Sequence, residues 1–174
     1  RAWRDAVISM EGAANGARSY IATLVFEQLN KTSKGTTIVV APASEITGIL
    51  KDLSKAKISA AAFAEASESQ SVLVGTLTEA KDFFEGEVSR SINIVRVIVQ
   101  GVTASEVEEA RAVFAAASKR GKRPEMVLLS NSSEPFITDI IRGYFQVSAV
   151  EVQHLFYEVG SGVLDKPKAL ADFI

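Results

Sequence analysis

The sequence predicts an α/β fold of three layers, with helices on both faces of a mostly parallel sheet, and three observations lead there. Short apolar runs alternate with amphipathic segments along most of the chain, the pattern of a parallel sheet built from strand–helix units. The run Ile94-Val95-Arg96-Val97-Ile98-Val99 reads as β-branched throughout and therefore as a central strand covered on both sides. Gly12-Ala13-Ala14-Asn15-Gly16-Ala17-Arg18-Ser19 is a glycine-rich turn between a first apolar run and a first helix.

Each element follows from its local pattern. Residues 6–10 form a short buried strand, and residues 17–29 a helix with Ile21, Leu24, Val25 and Leu29 on one face. The second strand covers 36–40 and is broken by Pro42, after which 45–53 is helical with Ile46, Ile49, Leu50 and Leu53 aligned. Strands at 58–62 and 71–74 and a helix near 79–84 come next, with 60–69, rich in Ala, Ser and Glu, serving as a connector. A helix over 105–119 is capped by Ser105 with Glu108 three residues on, and Gly121 and Pro124 end it. A strand at 126–129 and a helix at 134–145, with Pro135 in its first turn, complete the alternation. Ligands of such sheets gather at the carboxyl ends of the strands.

Composition removes several function classes. The 174 residues suffice for one domain with a substantial core, and 47% apolar with 23% charged residues is ordinary globular usage. A formal net charge of -2 excludes a broadly basic surface that coats nucleic acid. There is no cysteine, which excludes disulfides and thiolate metal sites, and the single histidine, His154, argues against a histidine triad or a multi-histidine metal centre. No apolar run reaches the roughly 18 residues of a membrane span. An intracellular location, cytoplasmic or organellar, is the expectation, with no membrane partner. The chain starts at Arg1 and stops at Ile174 within a helical pattern, so both ends are expected to be cuts through a longer protein.

The strand ends carry a series of short segments. Residues 4–8 lead into Gly12 to Ser19, where the phosphate-cradling pattern of Gly, four residues, Gly, Lys and Ser or Thr is altered: Ala17 replaces the second glycine and Arg18 the lysine, and Ser19 conforms. Further on come Ala41-Pro42-Ala43-Ser44-Glu45-Ile46, Val74-Gly75-Thr76-Leu77-Thr78, Val97-Ile98-Val99-Gln100-Gly101-Val102-Thr103 and Leu128-Leu129-Ser130-Asn131-Ser132, the last followed by a helix ending in Tyr144-Phe145. In order and spacing, over about residues 4–145, these segments resemble the first RecA-like domain of DEAD-box RNA helicases. Residues 41–46 are similar to the family's Pro-Thr-Arg-Glu-Leu, 74–78 to the segment ending Thr-Pro-Gly-Arg, 97–103 to the strand before Asp-Glu-Ala-Asp, and 128–132 to the strand ending Ser-Ala-Thr. Residues 152–159 and 166–173 are similar to the first strand and helix of the second RecA-like domain.

The resemblance implies a RecA-like fold of the P-loop NTPase type. Residues 1–148 would form helicase domain 1, and 149–174 a linker and the start of a second RecA-like domain or a docked extension. It implies a degenerate nucleotide site at Gly12, Gly16, Ala17, Arg18 and Ser19, RNA contacts at Pro42, Ser44, Glu45, Gly75 and Thr76, and interdomain coupling through Ser130, Asn131 and Ser132. The family's segment that reads adenine would precede Arg1. Hydrolysis in the family uses a lysine on the phosphates, a metal-linked aspartate and a glutamate that positions water. Gln100, Gly101 and Thr103 supply none of that charge, and Arg18 presents a planar fork in place of a compact ammonium. Catalysis is therefore expected to be lost, with no metal ligands and at most weak ATP and magnesium binding through a helix N-terminus. Both family arginines of the RNA segments are missing, which lowers the expected RNA affinity there.

Partners implied are RNA, a second RecA-like domain and a protein. Lys119-Arg120-Gly121-Lys122-Arg123, the densest basic run, reads as a solvated helix end complementing the dipole, with an RNA patch as the other reading. His154 and Trp3 read as packing residues. Two rival readings remain: an active ATP-dependent RNA helicase domain with a divergent site, and an unrelated flavodoxin-like binding domain. A RecA-like sheet would set the strand ending at Val99 beside the one ending at Val40.

Overall fold

The computed structural model of the chain describes residues 5–9, 16–31, 34–130 and 135–145. Along the chain run β1 (Ala6–Ser9), α1 (Gly16–Lys31), β2 (Thr36–Val40), α2 (Ala43–Lys55), β3 (Ala60–Ala62), β4 (Val72–Gly75), α3 (Leu77–Glu85), α4 (Val88–Ser91), β5 (Ile94–Gln100), α5 (Val107–Ser118), β6 (Glu125–Ser130) and α6 (Pro135–Tyr144). The strands form one six-stranded sheet in the order β1-β6-β5-β2-β4-β3, and every pairing is parallel. Val40 lies opposite Val99, the neighbour relation expected of a RecA-like sheet. In a flavodoxin-like order the first strand sits between the second and third. Here β1 is an edge strand beside β6, which removes the flavodoxin-like reading.

Alternate side chains of the inner strands enter two cores. Ile38 and Val40 of β2, Val97 and Val99 of β5, and Met126 and Leu128 of β6 pack under α3, α5 and α6. Val39, Ile98, Val127 and Leu129 pack on the opposite face with Ile21, Leu24 and Val25 of α1 and Ile49 and Leu53 of α2. Burial on both faces explains why β2, β4 and β6 are buried at every residue. No helix among the described residues is long and apolar enough to cross a membrane.

Several boundaries depart from the sequence pattern. The capping pair before α5 is Thr103 with Glu106, whose Oε2 accepts from the Thr103 amide at 2.9 Å. Glu108 is paired with Arg111 within the helix instead. A 3-10 turn at Ala104–Glu106 comes first, so α5 starts at Val107, two residues later than the predicted range of 105–119. Residues 60–69 are more than a connector: Ala60–Ala62 pairs with β4 as the far edge strand, and Phe63–Glu65 is a 3-10 turn. Residues 58 and 59 precede that strand, and the short α4 had no counterpart in the sequence pattern. His154 and Trp3 lie outside the described residues.

The run 94–99 is not β-branched throughout, because Arg96 stands within it, and that arginine is fully buried. The register slips between Thr36 and Thr37, which face Ile94 and Arg96. Val95 is thus the extra residue of a bulge, lying against Gly35, where a Cβ would come within 2.3 Å of Val95 Cγ1. The bulge turns Arg96 toward α1. Its Nη1 donates to the Leu24 carbonyl at 2.9 Å and pairs with Glu27 at 2.9 Å, while Nη2 donates to Glu125 at 3.0 Å.

Burial raises the Glu125 carboxyl above its ordinary value, and the charge and hydrogen bond of Arg96 only partly offset that. A carboxyl raised on folding favours the protonated folded state, so its stabilising contribution is complete below the ordinary carboxylate range and is lost as pH rises through the folded value. Glu125→Gln, neutral at every pH, should therefore lose less stability than wild type between mildly acidic and neutral pH. Urea unfolding at the two pH values reads the difference, and a parallel pH dependence of the two proteins would overturn the assignment.

Half of the cations in the basic run at 119–123 are structural. Arg123 grips Asp5 through both guanidinium ends, at 3.0 Å and 2.5 Å, and also donates to the Tyr144 carbonyl. Asp5 Oδ1 accepts from the Met126 amide. This network joins the start of β1 to β6 and the end of α6. Arg120 Nη2 donates to the carbonyls of Ser89 and Ile92 at 2.9 Å and 2.7 Å. Two of the four cations are thus internal ties, which corrects the reading of the run as a solvated helix end.

Candidate nucleotide site at the carboxyl edge

Parallel strands deliver their carboxyl ends to one edge, and the residues singled out by sequence meet there. β2 ends at Val40 before Ala41 and Pro42, β4 ends in Gly75 before Thr76, β5 ends in Gln100 and β6 in the buried Ser130. The Ala41 amide donates to the Gly75 carbonyl at 3.0 Å, so the two segments compared with RNA contacts are neighbours. Gly12, Asn131 and Ser132 lie outside the described residues. Gly16, Ala17 and Ser19 belong to the first turn of α1, where backbone amides face the edge unsatisfied by the helix.

Arg18 is engaged by the neighbouring helix. Its Nε pairs with Asp52 of α2 at 2.8 Å, and its guanidinium passes over Gly48, where a Cβ would come within 2.3 Å of Nη1. The glycine in α2 leaves room for that crossing, a role with no signal in the sequence pattern.

The end of β5 is shaped for small and neutral residues. Gln100 is about nine-tenths buried, and its Oε1 accepts no hydrogen bond among the described residues. Gly101 sits at φ +71°, and a Cβ there would lie 3.2 Å from the Pro42 ring. A side chain at this position would be strained and pressed on proline. Thr103 is occupied locally, its hydroxyl 3.1 Å from Ser105 Oγ and its amide bonded to Glu106.

Acids close to this edge serve as caps. Glu79 accepts from the Thr76 amide at 2.7 Å, and its own amide donates to Thr76 Oγ1 at 3.3 Å. Thr76 is therefore the N-cap of α3, and Glu106 does similar work before α5. Pro42 precedes α2, with Ser44 and Glu45 in its first turn. No group of three His, Cys, Asp or Glu among the described residues could hold a metal ion. The magnesium that the resemblance implies does not fit Gln100, Gly101 and Thr103, which offer no carboxylate.

No family model matches the chain, and no curated protein matches it. Among solved structures it is similar to the UvsW helicase from bacteriophage T4, with a TM-score of 0.54 and 15% identity over 82% of this chain and 52% of that one. It is also similar to the C-terminal domain of the DEAD-box protein Dbp5, with a TM-score of 0.48 and 11% identity over 84% and 87% of the two chains. The bacteriophage phi-29 genome packaging motor assembly gives 0.44 and 9% over 76% and 44%. The chain thus spans about half the length of the T4 helicase. At 15% identity that likeness is one of fold, and the two with TM-scores below 0.5 add nothing to it. Sheet order and likeness together make this a three-layer RecA-like α/β/α domain.

Proposed function

We propose that the chain is a DEAD-box-like RecA domain that has lost ATP hydrolysis and works as an RNA- or protein-binding module of a larger protein. On this reading residues 1–148 constitute the domain, and 149–174 are a linker and the start of a second RecA-like domain, or a docked C-terminal extension. The observation that supports the reading best is the end of β5. The positions that would carry the metal-linked and water-positioning acids hold a buried Gln100 and a Gly101 at φ +71° against Pro42. Without those carboxylates neither the metal nor the attacking water is held, and Arg18 is engaged by Asp52. Removing even one preorganised electrostatic group typically costs about 10²–10³ in rate.

What remains at the edge is a set of backbone donors, including the first turn of α1, suited to weak phosphate contact. Pro42, Ser44, Glu45, Gly75 and Thr76 bring no cation to RNA, so contact through them is weak. Ser130 keeps the position from which Asn131 and Ser132 would couple to a second domain. Magnesium-dependent ATP hydrolysis by the full-length protein, with and without single-stranded RNA, tests the proposal. Turnover should stay at background in both conditions. RNA-stimulated hydrolysis would return the chain to the active helicases.

A further inference from the structure

The cations that line one cleft at the amino end of the sheet have no counterpart at its carboxyl edge among the described residues. At the carboxyl edge, Glu45, Glu79, Glu106 and Glu109 occupy the first turns after β2, β4 and β5, and Arg18 is paired. At the amino edge of β5, an open cleft of about 460 Å³ lies between the α4–β5 and α5–β6 connections, lined by Arg90, Asn93, Arg120 and Lys122 among others. No carboxylate and no aromatic ring lines it. Arg120 crosses between the two connections, held by the carbonyls of Ser89 and Ile92, and it makes no ion pair among the described residues. Burial lowers its pKa from the ordinary value, the direction expected for a cation with no opposing charge. Lys122 is exposed. Among the described residues Arg90 pairs with Glu87, both largely in solvent, where water and salt screen the interaction. This concentration of cations occurs in a protein whose formal net charge is -2.

We propose that this amino-edge cleft binds the phosphodiester backbone of single-stranded RNA, on the side of the sheet opposite the nucleotide site. Cations fixed before binding lose little freedom on meeting a phosphate, and Arg120 is fixed by two carbonyls. The cleft is open, so it suits a passing polymer better than an enclosed small molecule. Lacking a ring on which a base could stack, it contacts backbone and reads no sequence. The proposal deepens the reading of the chain as a binding module and rests on it for the class of partner.

Fluorescence anisotropy of labelled oligouridylate with the full-length protein, across a potassium chloride series, tests it. Arg90→Glu with Lys122→Glu, both at solvent-exposed positions, should weaken binding about 10-fold or more at low salt and make the log–log salt slope shallower by roughly 1–1.5. Arg111→Glu with Lys51→Glu, an equal charge change away from the cleft, should bind like wild type. Wild-type affinity in the cleft variant would overturn the proposal, as would equal losses in both variants. Displacement of the RNA by inorganic phosphate at matched phosphate concentration, or binding of oligoglutamate in place of RNA, would overturn it too. RNA-stimulated ATP turnover counts against the inactive-module reading alone, because the cleft is read through binding.

Discussion

Replacing Arg96 with methionine is expected to lower stability by about 3–5 kcal/mol at neutral pH, the range for breaking a buried ion pair from one side. For a chain of this size that corresponds to a fall of roughly 6–20 °C in melting temperature. Arg96 is fully buried, and Glu125 beside it is nearly so. Methionine fills the volume but leaves Glu125 and Glu27 without their shared cation and removes the Arg96 hydrogen bond to the Leu24 carbonyl. Glu125 is already raised by burial, so without Arg96 it rises further and takes up a proton. The deficit should accordingly shrink as pH falls from neutral toward the ordinary carboxylate range. Adding Glu125→Leu to Arg96→Met should recover much of the loss, since an apolar replacement of the whole pair is often neutral or better. Thermal unfolding of the three proteins at two pH values measures both effects. A pH-independent deficit would mean that packing, and not charge, holds this part of the sheet.

The same residue marks how far the sequence could be read. Runs such as 36–40 and 126–129 announce strands because both faces of a parallel sheet are covered, and the helix faces of α1 and α2 follow from spacing alone. That β2 and β5 are neighbours was also legible, through the resemblance to RecA-like domains. The bulge at Val95 was not, because it depends on Gly35 approaching from another part of the chain. A single arginine within an apolar run was the available signal, and it called for acids elsewhere that local pattern cannot locate. Arg123 and Asp5 are 118 positions apart, so in a basic run read locally as a helix end one cation is in fact a tie between β1, β6 and α6. Caps shifted by two residues for a simpler reason: Thr103 and Ser105 both precede a glutamate at the right interval, and only the chain's path after Gly101 selects the first.

At the carboxyl edge, residue identities were legible and their surroundings were not. The absence of acids after Val99 is plain in the sequence, whereas the positive φ of Gly101 and its contact with Pro42 emerge only when β2 and β5 lie side by side. Arg18 read as an altered phosphate ligand; its pairing with Asp52 required α1 and α2 to pack, with Gly48 clearing the way. The amino-edge cleft had half its signal in the basic run at 119–123. The other half came from Arg90 and Asn93, about thirty residues earlier, brought opposite by the parallel crossover.

Gly75→Ala is expected to cost about 2–4 kcal/mol, combining overpacking of about 1–3 kcal/mol with loss of a helix cap worth about 1 kcal/mol. A Cβ at this position would fall 2.3 Å and 2.5 Å from two Phe63 ring carbons and 2.7 Å from Glu79 Oε2. Phe63 cannot move freely, since its ring stacks on Phe83 at 5.0 Å between centroids and Phe83 is buried in the core under α3. Glu79 cannot move without releasing the Thr76 amide and opening the capping box of α3. Packing by itself is thus enough to require a glycine at the position that the helicase resemblance assigns to RNA. Truncating the obstructing ring separates the two terms: in a Phe63→Ala background, Gly75→Ala should cost only the capping part, so the double variant should be more stable than the sum of the single losses predicts. Urea unfolding of the four proteins closes this cycle. Strict additivity would show that the Phe63 ring is not what excludes a side chain at Gly75, and the requirement for glycine would then lie with the cap.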